Sequence, residues 1–154
     1  MIINITGQAG AGKTTLDKEL LELIPKSINI DGDELREVLI NKDYSEQGRR
    51  NNITNAYNIA KFLEFKGFTP IISLISPFKD LREELKLTNK VLEIYVFTTD
   101  IRGREKFFAP NYEKPIENYI PVDTTNEKAD KIAETIELCL NKGFYKHLFI
   151  NKNQ

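Results

Sequence analysis

The chain has 154 residues, enough for one domain with a real core and too few for two. A formal charge of −1 gives no bulk footprint for nucleic acid, so any anion must be held by local arginines. No apolar run approaches the roughly 20 residues a bilayer span requires, no signal-peptide pattern opens the chain, and the lone Cys139 precludes an internal disulfide, which together point to a cytoplasmic protein.

In chain order, Ile2, Ile3 and Ile5 form a β-branched run that predicts a buried parallel strand. Leu16, Leu20, Leu23 and Ile24 recur at helical spacing, and Pro25 ends that helix. Residues 27–30 read as a second strand, and residues 31 to about 41 as helical again. A longer helix places Ile53, Ala56, Ala60 and Leu63 on one face, with Gly67 as its C-terminal cap. TPIISLIS (69–76), VLEIYVF (91–97) and ENYIPV (117–122) predict the third, fourth and fifth strands. The last helix carries Ala129, Ile132, Ala133, Ile136 and Leu140, with Thr124 and Glu127 at capping-box spacing ahead of it.

Phe62, Phe65 and Phe68 read as core around a helix end, and Cys139 as packing. The alternation predicts an α/β chain: a three-layer, P-loop NTPase-like fold with a central, mostly parallel five-stranded sheet and helices on both faces. One domain covers 1–154, with a core at 1–140 and a tail at 141–154 whose role is open. His147, the only histidine, lies in that tail and is assigned no catalytic role.

Residues 7–15, GQAGAGKTT, place Gly7, four residues, then Gly12-Lys13-Thr14 between the first strand and an amphipathic helix. Glycines let successive N–H groups turn inward onto phosphate oxygens, and the following helix adds its N-terminal dipole. Gly7, Gly10, Ala11, Gly12, Lys13, Thr14 and Thr15 are therefore the expected ATP- or GTP-binding residues. Lys13 would reach the β- and γ-phosphates and the Thr14 hydroxyl would ligate Mg²⁺. The loop alone does not separate a kinase from a GTPase, but TNKV (88–91) lacks the aspartate of a guanine-reading segment.

In a parallel sheet all strand carboxyl ends share one edge, where ligands bind. The second strand brings DGDELR (31–36) to that edge and the third brings ISPF (75–78). Asp33 and Arg36, three apart at a helix start, share a face. Asp33 would accept a proton from an attacking hydroxyl or hold Mg²⁺ directly or through water, and Arg36 would fork onto an anion. The plainer reading makes Asp31 and Asp33 capping acids and Arg36 a solvated cation. In SEQGRRNNI (45–53), Arg49 and Asn52 lie three apart on one face, and Arg50 points elsewhere as a surface charge.

GQAGAGKTT, DGDELR, SEQGRRNNI and ISPF occur in the order and approximate spacing of adenylylsulfate (APS) kinases, which the chain resembles from Met1 to about Phe97 and again through the last strand and helix. The resemblance implies a transferase that uses ATP and Mg²⁺ to phosphorylate the ribose 3′-hydroxyl of adenosine 5′-phosphosulfate. It makes Lys13 and Asp33 catalytic, with Thr14 and Asp33 facing the metal. Asp33, Arg36, Tyr44, Arg49, Asn52, Ile75 and Ser76 match acceptor-binding positions, Tyr44 standing where the family usually has phenylalanine. Ser76 otherwise reads as a strand-end serine bonded to local backbone. Members of the family often pair as homodimers.

The departures fall on the acceptor side. Glu34 replaces an asparagine, Gly48 an aspartate, and NNITNAY lacks an arginine the family often has there. The family's longer basic lid after the fourth strand is mostly missing. Arg102, Arg104, Lys106, Phe107 and Phe108 either supply part of its charge and aromatic contact, or IRGREKFF is a plain surface helix. Two alternatives stand beside phosphosulfate: a kinase for another nucleotide conjugate, such as the cytidine diphosphate derivative cytidine diphosphoramidate, and a nucleotide-binding protein without transfer activity.

Overall fold

The computed structural model describes residues 1–143; the tail from 144 onward, His147 included, lies outside the described residues. β1 (Ile2–Thr6) is buried along its whole length, as a central strand covered on both faces must be. It pairs in parallel with β3 (Thr69–Ser73) on one side and β4 (Val91–Phe97) on the other. β2 (Ser27–Asp31) lies outside β3 and β5 (Tyr119–Asp123) outside β4, giving the order β2-β3-β1-β4-β5 with every pair parallel. Ile5 stands opposite both Ser73 and Ile94, so the strands end together along one edge.

Alternation along β1 divides the core. Ile3 and Ile5 pack with Leu92, Ile94 and Val96 beneath α1 (Lys13–Leu23) and α5 (Ala129–Lys142), whose Leu16, Leu20, Ile132 and Ile136 complete that layer. Ile2 joins Ile72 and Val91 in a second layer, closed by Ile53, Ala56 and Ala60 of α3 (Glu46–Phe65) and Leu85 of α4 (Lys79–Thr88). The short α2 (Gly32–Val38) starts directly from β2 and adds Leu35 to the second layer. α3 ends as its sequence predicts: Gly67 takes φ 87° and the Phe68 N–H returns to the Leu63 carbonyl at 3.0 Å.

Several expectations are corrected. α4 was not anticipated, because its inward face carries Arg82 and Lys86 beside Leu85 instead of an apolar stripe. The third strand stops at Ser73, and α2 ends at Val38. Thr124 and Glu127 form no capping box: α5 begins after Lys128 without a side-chain cap, and the Thr124 hydroxyl instead donates to the Ala11 carbonyl at 2.7 Å. Phe62, Phe65 and Phe68 are 59%, 83% and 39% exposed rather than core, since Ile53, Ala56 and Ala60 already occupy the inward stripe of α3. Cys139 is half-buried in α5. Among the described residues, no helix is long and apolar enough to cross a membrane.

Candidate active site

The loop between β1 and α1 is shaped by close approach. A Cβ on Gly7 would lie 2.1 Å from the Val96 carbonyl oxygen, so only glycine fits where this loop crosses β4. Gly12 caps α1 in a left-handed conformation, φ 102°. Lys13, 9% exposed, donates from Nζ to the Gln8 carbonyl at 2.8 Å. Burial lowers its pKa to about 8, against the pull of the Asp31 and Asp33 carboxylates, and the nearby Arg104 adds to the lowering. A buried ammonium satisfied by a backbone carbonyl of its own loop fits a site whose ligand brings the negative charge.

Asp31 and Asp33 take different roles. Asp31 caps α2, accepting from the N–H groups of Asp33 at 2.8 Å and Glu34 at 3.2 Å. Asp33 is exposed and lines the same cavity as Lys13 and Thr14. Arg36, three residues on, is buried rather than solvated. The loop after α2 wraps it: Nη1 donates to the carbonyls of Asn41 at 3.1 Å and Asp43 at 2.9 Å. Its guanidinium lies 4.3 Å from the Tyr44 ring centroid, and Arg49 lies 5.8 Å from the same ring. Burial and then the Arg36 charge lower the pKa of Arg49, as expected of two neighbouring cations. Gly48 is required by this wrapping, because a Cβ there would meet the Asp43 carbonyl oxygen at 2.2 Å. Arg50 faces away, paired with Glu46 and Asp80 and stacked on Phe78.

At the end of β3 the Ile75 carbonyl accepts from the Thr6 hydroxyl at 2.7 Å and the Gly7 N–H at 3.4 Å. Ser76 is 1% exposed and left-handed at φ 45°, with Oγ 2.7 Å from the Tyr57 hydroxyl. Two adjoining cavities result. The larger, about 910 Å³, brings Gly10, Gly12, Lys13, Thr14 and Thr15 together with Asp33, Arg36, Tyr44, Arg49 and Ile75. The smaller, about 70 Å³, shares Asp33, Arg36, Tyr44, Arg49 and Ile75 and adds Asn52 and Ser76. Gly7 and Ala11 line neither; they shape the loop from below, Ala11 within the apolar layer.

IRGREKFF is not a surface helix. Only Glu105–Phe107 forms a single 3₁₀ turn, and Arg102, Arg104, Lys106, Phe107 and Phe108 line the larger cavity opposite Asp33 and Tyr44. Arg102 is spent on structure, donating to the Gly10 carbonyl at 3.2 Å and the Thr124 carbonyl at 2.8 Å. Arg104 stacks on Phe107 at 4.9 Å. Gln8 anchors the far end of the loop by a two-way amide pair with Ala109, at 3.0 and 2.9 Å.

A profile described as adenylylsulphate kinase matches residues 1–119. The chain belongs to the adenylylsulphate kinase family. It is 32% identical to a cytidine diphosphoramidate kinase of Campylobacter jejuni, over 92% of this chain and 95% of that one. It is 31% identical to a probable adenylyl-sulfate kinase of Pyrococcus abyssi, over 86% and 90%. In three dimensions it is similar to the Mycobacterium tuberculosis APS kinase solved with AMPPNP and APS, with TM-score 0.76 and 17% identity over 91% and 96% of the two chains. As a member of the adenylylsulphate kinase family it is an ATP-using phosphotransferase acting on a nucleotide substrate.

Sequence reasoning missed several residues that support the adenylylsulphate kinase site: Thr6, Gln8, Tyr57, Arg82 and Tyr112. One signal was available for Arg82. Glu93 interrupts the apolar run VLEIYVF, and a carboxylate inside a central strand requires a buried cation.

Proposed function

We propose that the protein transfers the γ-phosphoryl group of ATP to the ribose 3′-hydroxyl of a nucleotide acceptor, with adenosine 5′-phosphosulfate as the first candidate. The observation that carries this reading is the convergence of Arg36 and Arg49 on the Tyr44 ring, in a cavity continuous with the phosphate loop. Two guanidiniums suit the paired anionic groups of a phosphosulfate or diphosphate, and an aromatic ring beside them suits a base.

In this reading Lys13, with Arg104 opposite, holds the β- and γ-phosphates. The acceptor oxygen attacks the γ-phosphorus, the bond to the β–γ bridging oxygen breaks, the hydroxyl proton passes to the Asp33 carboxylate, and ADP leaves. The Thr14 hydroxyl and the Asp33 carboxylate would hold Mg²⁺, which would supply charge neutralisation on the phosphates. Arg36, Arg49, Asn52, Ile75 and Ser76 form the acceptor side.

A second acceptor, a cytidine diphosphate derivative, is favoured by one observation: similarity to the Campylobacter jejuni enzyme spans nearly all of both chains. ADP release from ATP and Mg²⁺, measured with adenosine phosphosulfate and with a panel of cytidine and uridine diphosphate conjugates, separates them. Stimulation by phosphosulfate supports the first acceptor, stimulation by a cytidine conjugate alone reassigns it, and silence across the panel refutes both.

A further inference from the structure

Beneath the acceptor cavity lies a charged network the reaction does not use. Arg82 of α4 and Glu93 of β4 are 1% and 0% exposed, with Nε 2.8 Å from Oε1. Lys86, 5% exposed, lies 2.7 Å from the other Glu93 oxygen. Glu93 is thus the shared counter-charge of two buried cations, one on each carboxylate oxygen. Buried ion pairs of this kind add little net stability over apolar packing. What Glu93 does achieve is to orient the Arg82 guanidinium.

The other nitrogens of that guanidinium reach two separate segments. Nη1 donates to the Ser76 carbonyl at 2.6 Å, and Nη2 donates to the Glu113 carbonyl. Ser76 is a non-glycine residue in the left-handed region, a conformation that persists only when its surroundings hold it. Glu113 belongs to a strap, residues 112–117, that returns from the loop over the phosphate site. The strap is fastened to the same turn: the Glu113 N–H donates to Pro77 at 3.0 Å and the Lys79 N–H to Glu113 Oε2 at 2.7 Å. Tyr112 meets the Thr6 hydroxyl at 2.7 Å, and Lys86 reaches the Glu117 carbonyl at 3.3 Å.

We infer that Arg82 is a positioning residue: bridging the Ser76 and Glu113 carbonyls, it holds the acceptor wall and the 112–117 strap in one register. The inference rests on the reading of the cavity beside Ser76 as the acceptor site. A fork is needed for this task. A lysine at 82 keeps the charge opposite Glu93 but cannot reach both carbonyls at once.

The test is Arg82→Lys, with thermal unfolding, ATP Kd by direct titration, and kcat and acceptor KM measured beside Arg36→Ala and Tyr112→Phe. The expected result is a folded protein with unchanged ATP Kd and an acceptor KM raised about tenfold. Tyr112→Phe raises KM by a smaller factor, and the double variant raises it by less than the product of the two, as residues acting on one strap must. An unchanged acceptor KM in Arg82→Lys, with Arg36→Ala raising it, overturns the inference and leaves the acceptor site standing. An unchanged KM in Arg36→Ala overturns the acceptor site itself and the inference with it. ATP Kd and acceptor KM worsening together would mark a merely structural role. If Arg82→Lys does not fold, the double variant Arg82→Gln/Glu93→Gln decides, since it removes the fork without leaving Glu93 as a buried charge: a raised acceptor KM at constant ATP Kd supports the inference, and an unchanged KM overturns it.

Discussion

Lys13 donates from Nζ to the carbonyl of Gln8 at 2.8 Å, so the ammonium that would serve a phosphate is held by its own loop. Its lowered pKa, about 8, makes nucleotide binding pH-dependent. The free protein loses this charge as pH rises through 8, and a bound triphosphate restores it. ATP binding should therefore take up a proton above about pH 8 and weaken there by up to about tenfold per pH unit. Calorimetry in two buffers of different ionisation enthalpy reads the uptake directly. Uptake that persists in Lys13→Met would assign it to another group.

The two aspartates at the start of α2 should separate cleanly. Asp33→Asn should lower kcat by roughly a hundredfold or more and leave ATP Kd nearly unchanged. Asp31→Ala removes the cap that accepts from Asp33 and Glu34 and should cost about 1 kcal/mol of stability, read by denaturant unfolding. A full rate in Asp33→Asn would move the catalytic role elsewhere.

On the acceptor side, Arg49→Ala should raise acceptor KM about tenfold at near-constant ATP Kd. Arg104→Ala, across the cavity beside Lys13, should instead lower kcat and weaken ATP binding. Identical kinetic signatures for both variants would show that the cavity is not divided into acceptor and phosphate ends.

Asp17 of α1 is 2% exposed, accepts a hydrogen bond from Asn29 through Oδ2, and leaves Oδ1 without a partner. Burial pushes its carboxyl up to about 6. The folded pKa lies above the unfolded one, so the native state binds the extra proton and stability falls as pH climbs from about 4 to 6. Asp17→Asn keeps an acceptor for Asn29 and removes the charge. It should raise stability by roughly 1–3 kcal/mol above pH 7 and add nothing near pH 4, measured by thermal unfolding at both. An equal shift at the two values would trace the effect to packing instead.

What the sequence made legible follows what drives each element. β1 and VLEIYVF are central strands buried on both faces, and their apolar runs announce them. The phosphate loop is readable because its glycines meet steric demands that few other patterns satisfy. α4 escaped because Arg82 and Lys86 fill its inner face, where an apolar residue would have completed the helical period. Thr124 misled because its hydroxyl serves the Ala11 carbonyl across the fold, a partner that local spacing does not reveal. The same holds for Tyr57 and Ser76, which meet only after α3 packs on the sheet.

The strand order carries a consequence for how the molecule is made. β1 leaves the ribosome before both of its neighbours, β3 and β4, with Ile5 opposite Ser73 and Ile94. The stretch IINIT must wait, apolar and unpaired, until both partners have emerged. Such distant pairing slows folding and exposes an aggregation-prone segment while it lasts. The nucleotide grip that follows β1 is thus assembled only once β4 has been made, and ATP stabilises only chains that have completed this closure.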